Sequence, residues 1–336
     1  MKTLDSIILS ESTSIRVNPR FIFLFKAILS LIGRTIFPNL RALLFLLALP
    51  LAAGISRAEE GGAATWMGRI PAETKLSRLT LPGTHNSAAL HEPLAGTAKC
   101  QNLDLTEQLA AGVRYLDIRC RHLNDGFALH HGMVDQRQTF DAAIAGVAAF
   151  LKKNPSECVL VSVKEEHTPA GNTRTFEDTF AAATAKTPGL WWPGTTIPTL
   201  GEVRGKLVLI RRFPATKKPI GIDASRWPDN TVFQTALLAV QDAYQVSAPD
   251  AKWRKIETAL TAAREDRDGT RLHLNYASGY QPGAFGLPNI TAVSGAINPR
   301  LAKWFATAPA DACGCVIMDF ADAPTCAAII KSQARR

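Results

Sequence analysis

Two histidines in unlike settings, an Asp-x-Arg pair inside an apolar run and a late aspartate are the residues of this chain best suited to moving protons beside an anion. His85 sits in LPGTHNS, where Pro82 and Gly83 force a sharp exit from an extended segment. His131 is the second residue of the pair in LHHGMV, and Gly132 after it permits a close backbone approach or a positive φ. Asp117 and Arg119 stand two apart in VRYLDIRCR and share a face if that run is a strand. Asp319 lies toward the carboxyl end of CGCVIMDFA. Cleaving a phosphodiester by an internal hydroxyl requires a base for the nucleophile's proton, a cation against the phosphoryl oxygens and an acid for the departing alkoxide. Two imidazoles can divide the proton transfers, and a guanidinium can bracket two phosphate oxygens. Plainer roles exist for each residue alone: a buried His satisfying a loop carbonyl, or an inward Asp–Arg ion pair. Their joint presence favours the chemical reading.

The elements that must position these residues alternate in type. Short apolar runs (residues 113–121, 158–166, 205–213, 270–278 and 313–321) are separated by longer mixed stretches. TFDAAIAGVAAFLKKN and KWRKIETALTAAREDRD carry apolar residues at three- and four-residue intervals and read as helices. This alternation predicts an α/β fold with a largely parallel sheet. Polar residues recur where the apolar runs end: His85 and Asn86, Arg119, Lys164, Arg212 and Asp319. In a barrel those ends converge on one mouth, whereas spacing alone does not separate a barrel from an open sheet.

The 336 residues suffice for one well-developed core. Residues 42–53, ALLFLLALPLAA, follow Arg34 and Arg41 and precede a small-residue exit at Ala58, the pattern of a secretory signal. A second apolar run at residues 22–33 leaves three explanations open: an early start site, an extended basic region or an uncleaved anchor. The expected organisation is therefore an export signal or anchor over residues 1–58 and one catalytic domain over 59–336, with the protein exported, secreted or periplasmic. Residues 1–58 hold seven basic and two acidic residues, so the formal charge falls from +9 to +4 without them. That suits an anionic lipid surface, and no dense basic tract or nucleic-acid module is present. Of six cysteines, Cys313 and Cys326 flank an expected strand and are candidates for pairing, while the spacing of Cys313 and Cys315 fits a zinc motif poorly. Trp191, Trp192 and Pro193 form an aromatic turn suited either to a bilayer interface or to plugging a loop against the fold.

The ordered set LPGTHNS, GVRYLDIRCR, LHHG, FLKKNPSECVLVSVKEE, GKLVLIRRF, RWPDN, VQDAY, LNYASG, INPRLAKWF and VIMDF, running from Leu79 to Phe320 with the preceding LT, resembles the bacterial phosphatidylinositol-specific phospholipase C family. The resemblance implies a single distorted TIM-type (β/α) barrel. It implies that His85 is the general base for the inositol 2-hydroxyl, oriented by Asp319, that Arg119 binds phosphate and that His131 is the general acid for diacylglycerol, with Asp117 supporting the cluster. Lys164, Arg212, Asp242 and Tyr244 match the positions that grip the inositol ring. The implied product is a 1,2-cyclic inositol phosphate, the implied partner is phosphatidylinositol in a membrane interface, and a monomer without an obligate protein partner is expected. Asn86 departs from the best-known members, which carry an Asp there that hydrogen-bonds the acid histidine; Asn keeps the acceptor and loses the charge. No metal or other cofactor is expected, because Arg119 puts a cation where calcium sits in eukaryotic relatives of the wider superfamily. Action on a glycosyl-phosphatidylinositol or another phosphodiester, and non-catalytic binding of inositol lipid, are the competing functions; a metal-dependent glycerophosphodiesterase is disfavoured by Arg119.

Overall fold

The computed structural model describes residues 62–307 and 311–333; the expected export segment and the exit at Ala58 lie outside the described residues. A first strand β1 (Thr80–Thr84) is followed by a short helix α1 (Leu105–Ala110), β2 (Tyr115–Leu123), and a hairpin of β3 (Gly126–His131) and β4 (Val134–Thr139). Then come α2 (Phe140–Lys153), β5 (Val159–Glu165), α3 (Phe176–Ala185), α4 (Leu200–Val203), β6 (Leu207–Arg212), β7 (Ile222–Asp223), β8 (Val232–Gln234) and β9 (Leu238–Gln241). The chain continues through α5 (Pro249–Glu265), β10 (Leu272–Tyr276), the small pair β11 (Gln281–Pro282) and β12 (Pro288–Asn289), α6 (Ile290–Thr307), β13 (Gly314–Met318) and α7 (Ala323–Gln333).

Both helices read from periodicity are present, and each has local reasons to start where it does. Thr139 caps α2 by accepting from the Ala142 amide, and Lys152 and Lys153 complement its last turn. Pro249 opens α5, where its missing N–H costs nothing. Their apolar faces, including Ile144 and Val147 on α2 and Ile256 and Leu260 on α5, bury against the outer surface of the sheet.

Hydrogen bonding orders the main sheet β7-β6-β5-β2-β1-β13-β10-β9-β8. All neighbours from β7 to β9 are parallel, and β8 adds antiparallel to β9. This is a distorted α/β barrel whose wall stays open: among the described residues β7 and β8, at the two ends of the path, do not pair. The expected distorted TIM-type barrel is therefore present, with its distortion located at the gap between β7 and β8. Β-strand parity explains the layers. Leu81, Tyr115, Leu160, Val208, Leu238, Leu274 and Ile317 pack in one apolar cluster inside the barrel, while Leu116, Val161, Leu209 and Val316, one residue later or earlier on the same strands, pack outside with the helices. Gly83 belongs to the inner set, where a Cβ would stand 3.0 Å from Tyr115 Cβ.

Two further expectations change here. The six cysteines are all buried thiols, so Cys313 and Cys326 do not pair. Trp191 bridges to Leu207, the first residue of β6, and lies beside the Phe140 and Phe180 rings. The strand's other end carries Arg212. Trp191 therefore packs in the outer layer at the amino-terminal end of β6, away from the mouth, which favours the packing reading of the aromatic turn over the bilayer one.

Candidate active site

Inward parity continues past the apolar layers into a polar one. Counting by twos, Leu81 and Gly83 lead to His85, Tyr115 and Asp117 to Arg119, Leu160 and Ser162 to Lys164, Val208 and Ile210 to Arg212, Leu238 and Val240 to Asp242, and Cys315 and Ile317 to Asp319. In register, Arg119 stands opposite Lys164 and Lys164 opposite Arg212, which lays three cations in one row across β2, β5 and β6. These residues, with His131 and Tyr244, line a cavity of about 300 Å³ at the carboxyl ends of the strands. All ten polar residues singled out from the sequence lie in or directly beneath this mouth, with Asn86 and Asp117 beneath it.

His85 is held from both sides. Its Nδ1–H donates to Asp319 Oδ1 at 2.7 Å, and its Nε2 accepts from Arg119 Nη2 at 2.8 Å. The carboxylate thereby selects the tautomer whose Nε2 lone pair faces the cavity, as a general base requires. Gly279 supports the aspartate by donating its amide to Asp319 Oδ2 at 3.2 Å, and a side chain at this glycine would collide with the Tyr244 carbonyl. His131 lies across the cavity with its ring centroid 5.8 Å from that of His85. Its Nδ1–H donates to the Ala98 carbonyl at 2.6 Å, and Cys100 Sγ lies 3.6 Å from the same nitrogen.

Charge inside the cavity is arranged around Arg119. Its Nε donates to Asp117 Oδ2 at 3.1 Å and its Nη1 to Glu166 Oε1 at 3.4 Å. Burial works against ionising Asp117, but Arg119, Arg212 and His85 outweigh it and hold the carboxyl down at about 2. Burial likewise opposes charge on Glu166, and Arg119 with Lys164 keeps it far below the usual carboxylate range. Burial and then the charges of Arg119 and His85 push His131 down to about 4. Burial, followed by the charge of Arg119, also lowers Lys164. Arg212 packs its guanidinium 3.8 Å from the Trp227 ring centroid, and its buried Nη1 pairs with Asp117 Oδ1 at 3.7 Å, beyond hydrogen-bond distance.

His85, Cys100 and Asp319 are the one group among the described residues with ligand atoms close enough to share a metal ion, all within 4.8 Å. One thiol, one imidazole and one carboxylate do not make the oxygen-rich shell that calcium takes, and the Arg119 guanidinium already stands against the imidazole.

Over residues 75–213 the chain matches the family described as phosphatidylinositol-specific phospholipase C, X domain. It is 30% identical over 275 residues to 1-phosphatidylinositol phosphodiesterase of Staphylococcus aureus strain Newman, covering 76% of this chain and 88% of the relative. The chain belongs to the bacterial phosphatidylinositol-specific phospholipase C family. The enzyme of that name from Listeria monocytogenes is 27% identical over 289 residues, covering 80% of this chain and 84% of its own. A crystal structure of a pentafluoro-Phe form of the Staphylococcus aureus phosphatidylinositol-specific phospholipase C superposes with a TM-score of 0.73 at 28% identity, covering 81% of this chain and 97% of that one.

Within this phospholipase C family the position of Asn86 departs from expectation twice. Its side chain does not orient the acid histidine: Asn86 Nδ2 donates to the His130 carbonyl at 3.3 Å, and the Ala98 carbonyl takes over His131. Asn86 instead shapes the exit from β1, with φ of 36° and its amide bonded to Asp117 Oδ2 at 3.2 Å. Sequence reasoning about this phospholipase C had Glu166 and Trp227 within the motifs VSVKEE and RWPDN but assigned neither to the site. Glu166 joins Lys164, Arg119 and the Gly132 amide, and Trp227 donates to Asp242 Oδ2 at 3.0 Å. Glu166 lies one residue beyond β5 and so outside the strand parity that located the others.

Proposed function

We propose that this protein cleaves phosphatidylinositol to diacylglycerol and 1,2-cyclic inositol phosphate by attack of the inositol 2-hydroxyl on its own phosphorus. The observation that carries the reading is His85 clamped between Asp319 and Arg119, with His131 across a cavity of phosphoinositol size. His85 Nε2 takes the 2-hydroxyl proton, and Asp319 stabilises the imidazolium that results. Arg119, released from His85 Nε2 once that nitrogen carries the proton, turns to the phosphoryl oxygens while Asp117 keeps its Nε in place. Forming the oxygen–phosphorus bond of the ring breaks the bond to the glycerol oxygen, which leaves with a proton from His131. The reaction uses no water, so the attacking and departing oxygens need only the two imidazoles.

Lys164, Arg212, Asp242 and Tyr244 surround the space beyond the phosphate and suit a ring of vicinal hydroxyls. Tyr244 offers an aromatic face and is held by its hydroxyl, which donates to Asp229 Oδ1 at 2.8 Å. The membrane is met by the loops around the mouth. Leu94, Met133, Phe285 and Leu287 are exposed on segments that also bring Thr97, His131 and Pro288 to the cavity. Among the described residues no helix is long and apolar enough to cross a membrane. Residues 1–58 serve export, on the strength of their basic flank and apolar run, and residues 59–336 form the catalytic unit as a monomer.

The decisive experiment incubates the protein with phosphatidylinositol vesicles in excess chelator and follows soluble phosphorus by NMR, with His85→Ala as control. A cyclic inositol phosphate that forms under chelation and is lost in the variant supports the reading. Product only after calcium is restored overturns the role given to Arg119, and no product in either case overturns the substrate.

A further inference from the structure

Lys252 sits in the first turn of α5 with 2% of its surface exposed. Its Nζ donates to the Ala243 carbonyl at 2.9 Å and to Gln241 Oε1 at 3.3 Å, and among the described residues no carboxylate lies within ion-pair distance of it. Gln241 Oε1 also accepts the Ala243 amide at 2.9 Å, while Gln241 Nε2 donates to Asn275 Oδ1 and to the Tyr276 carbonyl, both at 2.9 Å. Ammonium and amide together tie the turn leaving β9 to β10. Ala243, whose two backbone polar groups are both held by this network, lies between Asp242 and Tyr244.

We infer that Lys252 is a positioning residue for Asp242 and Tyr244, and that its ammonium sets how firmly the turn they flank holds the ring of the substrate. The inference rests on the assignment of those two residues to the inositol ring. A purely structural side chain here has a better alternative, because methionine fills the same space without burying a charge. A cation kept inside at that cost, and spent on two neutral oxygens of one turn, points to the geometry of the turn as what it serves.

The titration of Lys252 makes the idea testable without substitution. Burial pulls it down to about 7, against the attraction of Asp242 and Asp319 and with the repulsion of Lys255 on its own helix. Where α5 meets α6, Arg300 is engaged by Asp250 at 2.7 Å. Below about 7 the ammonium makes charge-assisted bonds to the turn, and above it the neutral amine makes weaker ones. Ring binding therefore weakens as pH rises through neutrality.

The test measures kcat and KM separately on phosphatidylinositol in detergent micelles from pH 6 to pH 9, for the wild type, Lys252→Met and Asp242→Asn. The expected result is a wild-type KM that climbs with pH by about fivefold to tenfold. Lys252→Met should show that raised KM at every pH with kcat within about twofold of wild type, and Asp242→Asn should raise KM as well. A Lys252→Met enzyme with wild-type KM, alongside a raised KM for Asp242→Asn, overturns the inference and leaves the ring-binding assignment standing. A wild-type KM for Asp242→Asn overturns the assignment and the inference with it. Loss of kcat at unchanged KM would mark Lys252 as only structural, and a flat wild-type KM overturns the inference even if the methionine variant does not fold.

Discussion

His131 gives its Nδ1–H to the carbonyl of Ala98 at 2.6 Å, so the residue placed as general acid is oriented by a neutral backbone oxygen. A carbonyl fixes the tautomer as well as a carboxylate does, but it supplies no charge for the imidazolium. Burial and the neighbouring charges of Arg119 and His85 then hold His131 at about 4. Its acid form must be restored by the phosphate that enters.

Binding of an inositol phosphate should therefore take up a proton. At pH about 6 the free enzyme holds His131 neutral, and an anion beside it raises its affinity for the proton. Calorimetry in two buffers of different ionisation enthalpy should show uptake of up to about one proton, lost in His131→Gln. The same shift bears on stability. The unfolded chain binds this proton below about 6.5 and the folded one only below about 4, so His131 makes stability fall as pH drops through that window. Thermal unfolding of His131→Gln should show a smaller loss there.

The clamp on His85 predicts distinct failures for its two sides. Asp319→Asn leaves a side chain of equal size but no charge for the imidazolium, and kcat should fall by about 10²- to 10⁴-fold with little change in KM. Arg119→Lys keeps the charge and loses the fork that reaches Asp117 and Glu166 while facing the phosphate. A loss of about 10²- to 10³-fold in kcat is expected there despite the retained cation. A lysine enzyme within about fivefold of wild type would show that only the charge at this position matters.

Asn86 should prove to be a backbone residue more than a catalytic one. Its φ of 36° lies in the left-handed region, which costs a residue with a Cβ about 1–2 kcal/mol and glycine almost nothing. Asn86→Ala should lose the bond to the His130 carbonyl and the better tolerance of this region that Asn has over Ala, while Asn86→Gly is relieved of the Cβ cost and should lose less. Denaturant titration of both variants checks the order, and a glycine variant less stable than the alanine one would contradict it.

Phe285 stands fully exposed on the loop between β11 and β12, close to Pro288 at the cavity rim. Phe285→Ala should weaken sedimentation with phosphatidylinositol vesicles several-fold while leaving turnover of a soluble inositol phosphodiester unchanged. Equal losses on both substrates would place this residue in the site's architecture and not at the lipid surface.

Much of the site was legible because strand parity is a property of the chain itself. Once the runs ending near His85, Arg119, Lys164, Arg212 and Asp319 are read as strands, alternation sends every second residue inward, and the last inward residue of each is polar. The motifs that carry the family resemblance lie on the same runs. Parity says nothing about residues beyond a strand's end, which is why Glu166 and Trp227 were not assigned to the site, nor about the barrel's seam between β7 and β8. The aromatic turn of Trp191 and Trp192 kept two readings, bilayer contact or packing against the fold, because composition cannot tell one end of a barrel from the other.

By itself, then, the sequence determined which residue types alternate toward a common interior and in what order the strands present them, since both follow from local backbone geometry. Tertiary structure decided who meets whom. The register that aligns Arg119, Lys164 and Arg212 comes from strand neighbours about 45 residues apart in sequence, and the separation of 234 positions from His85 to Asp319 is bridged only because β13 pairs with β1. The oxygen that orients His131 belongs to a loop whose path is set by packing around the mouth, and no spacing rule along the chain encodes such a contact.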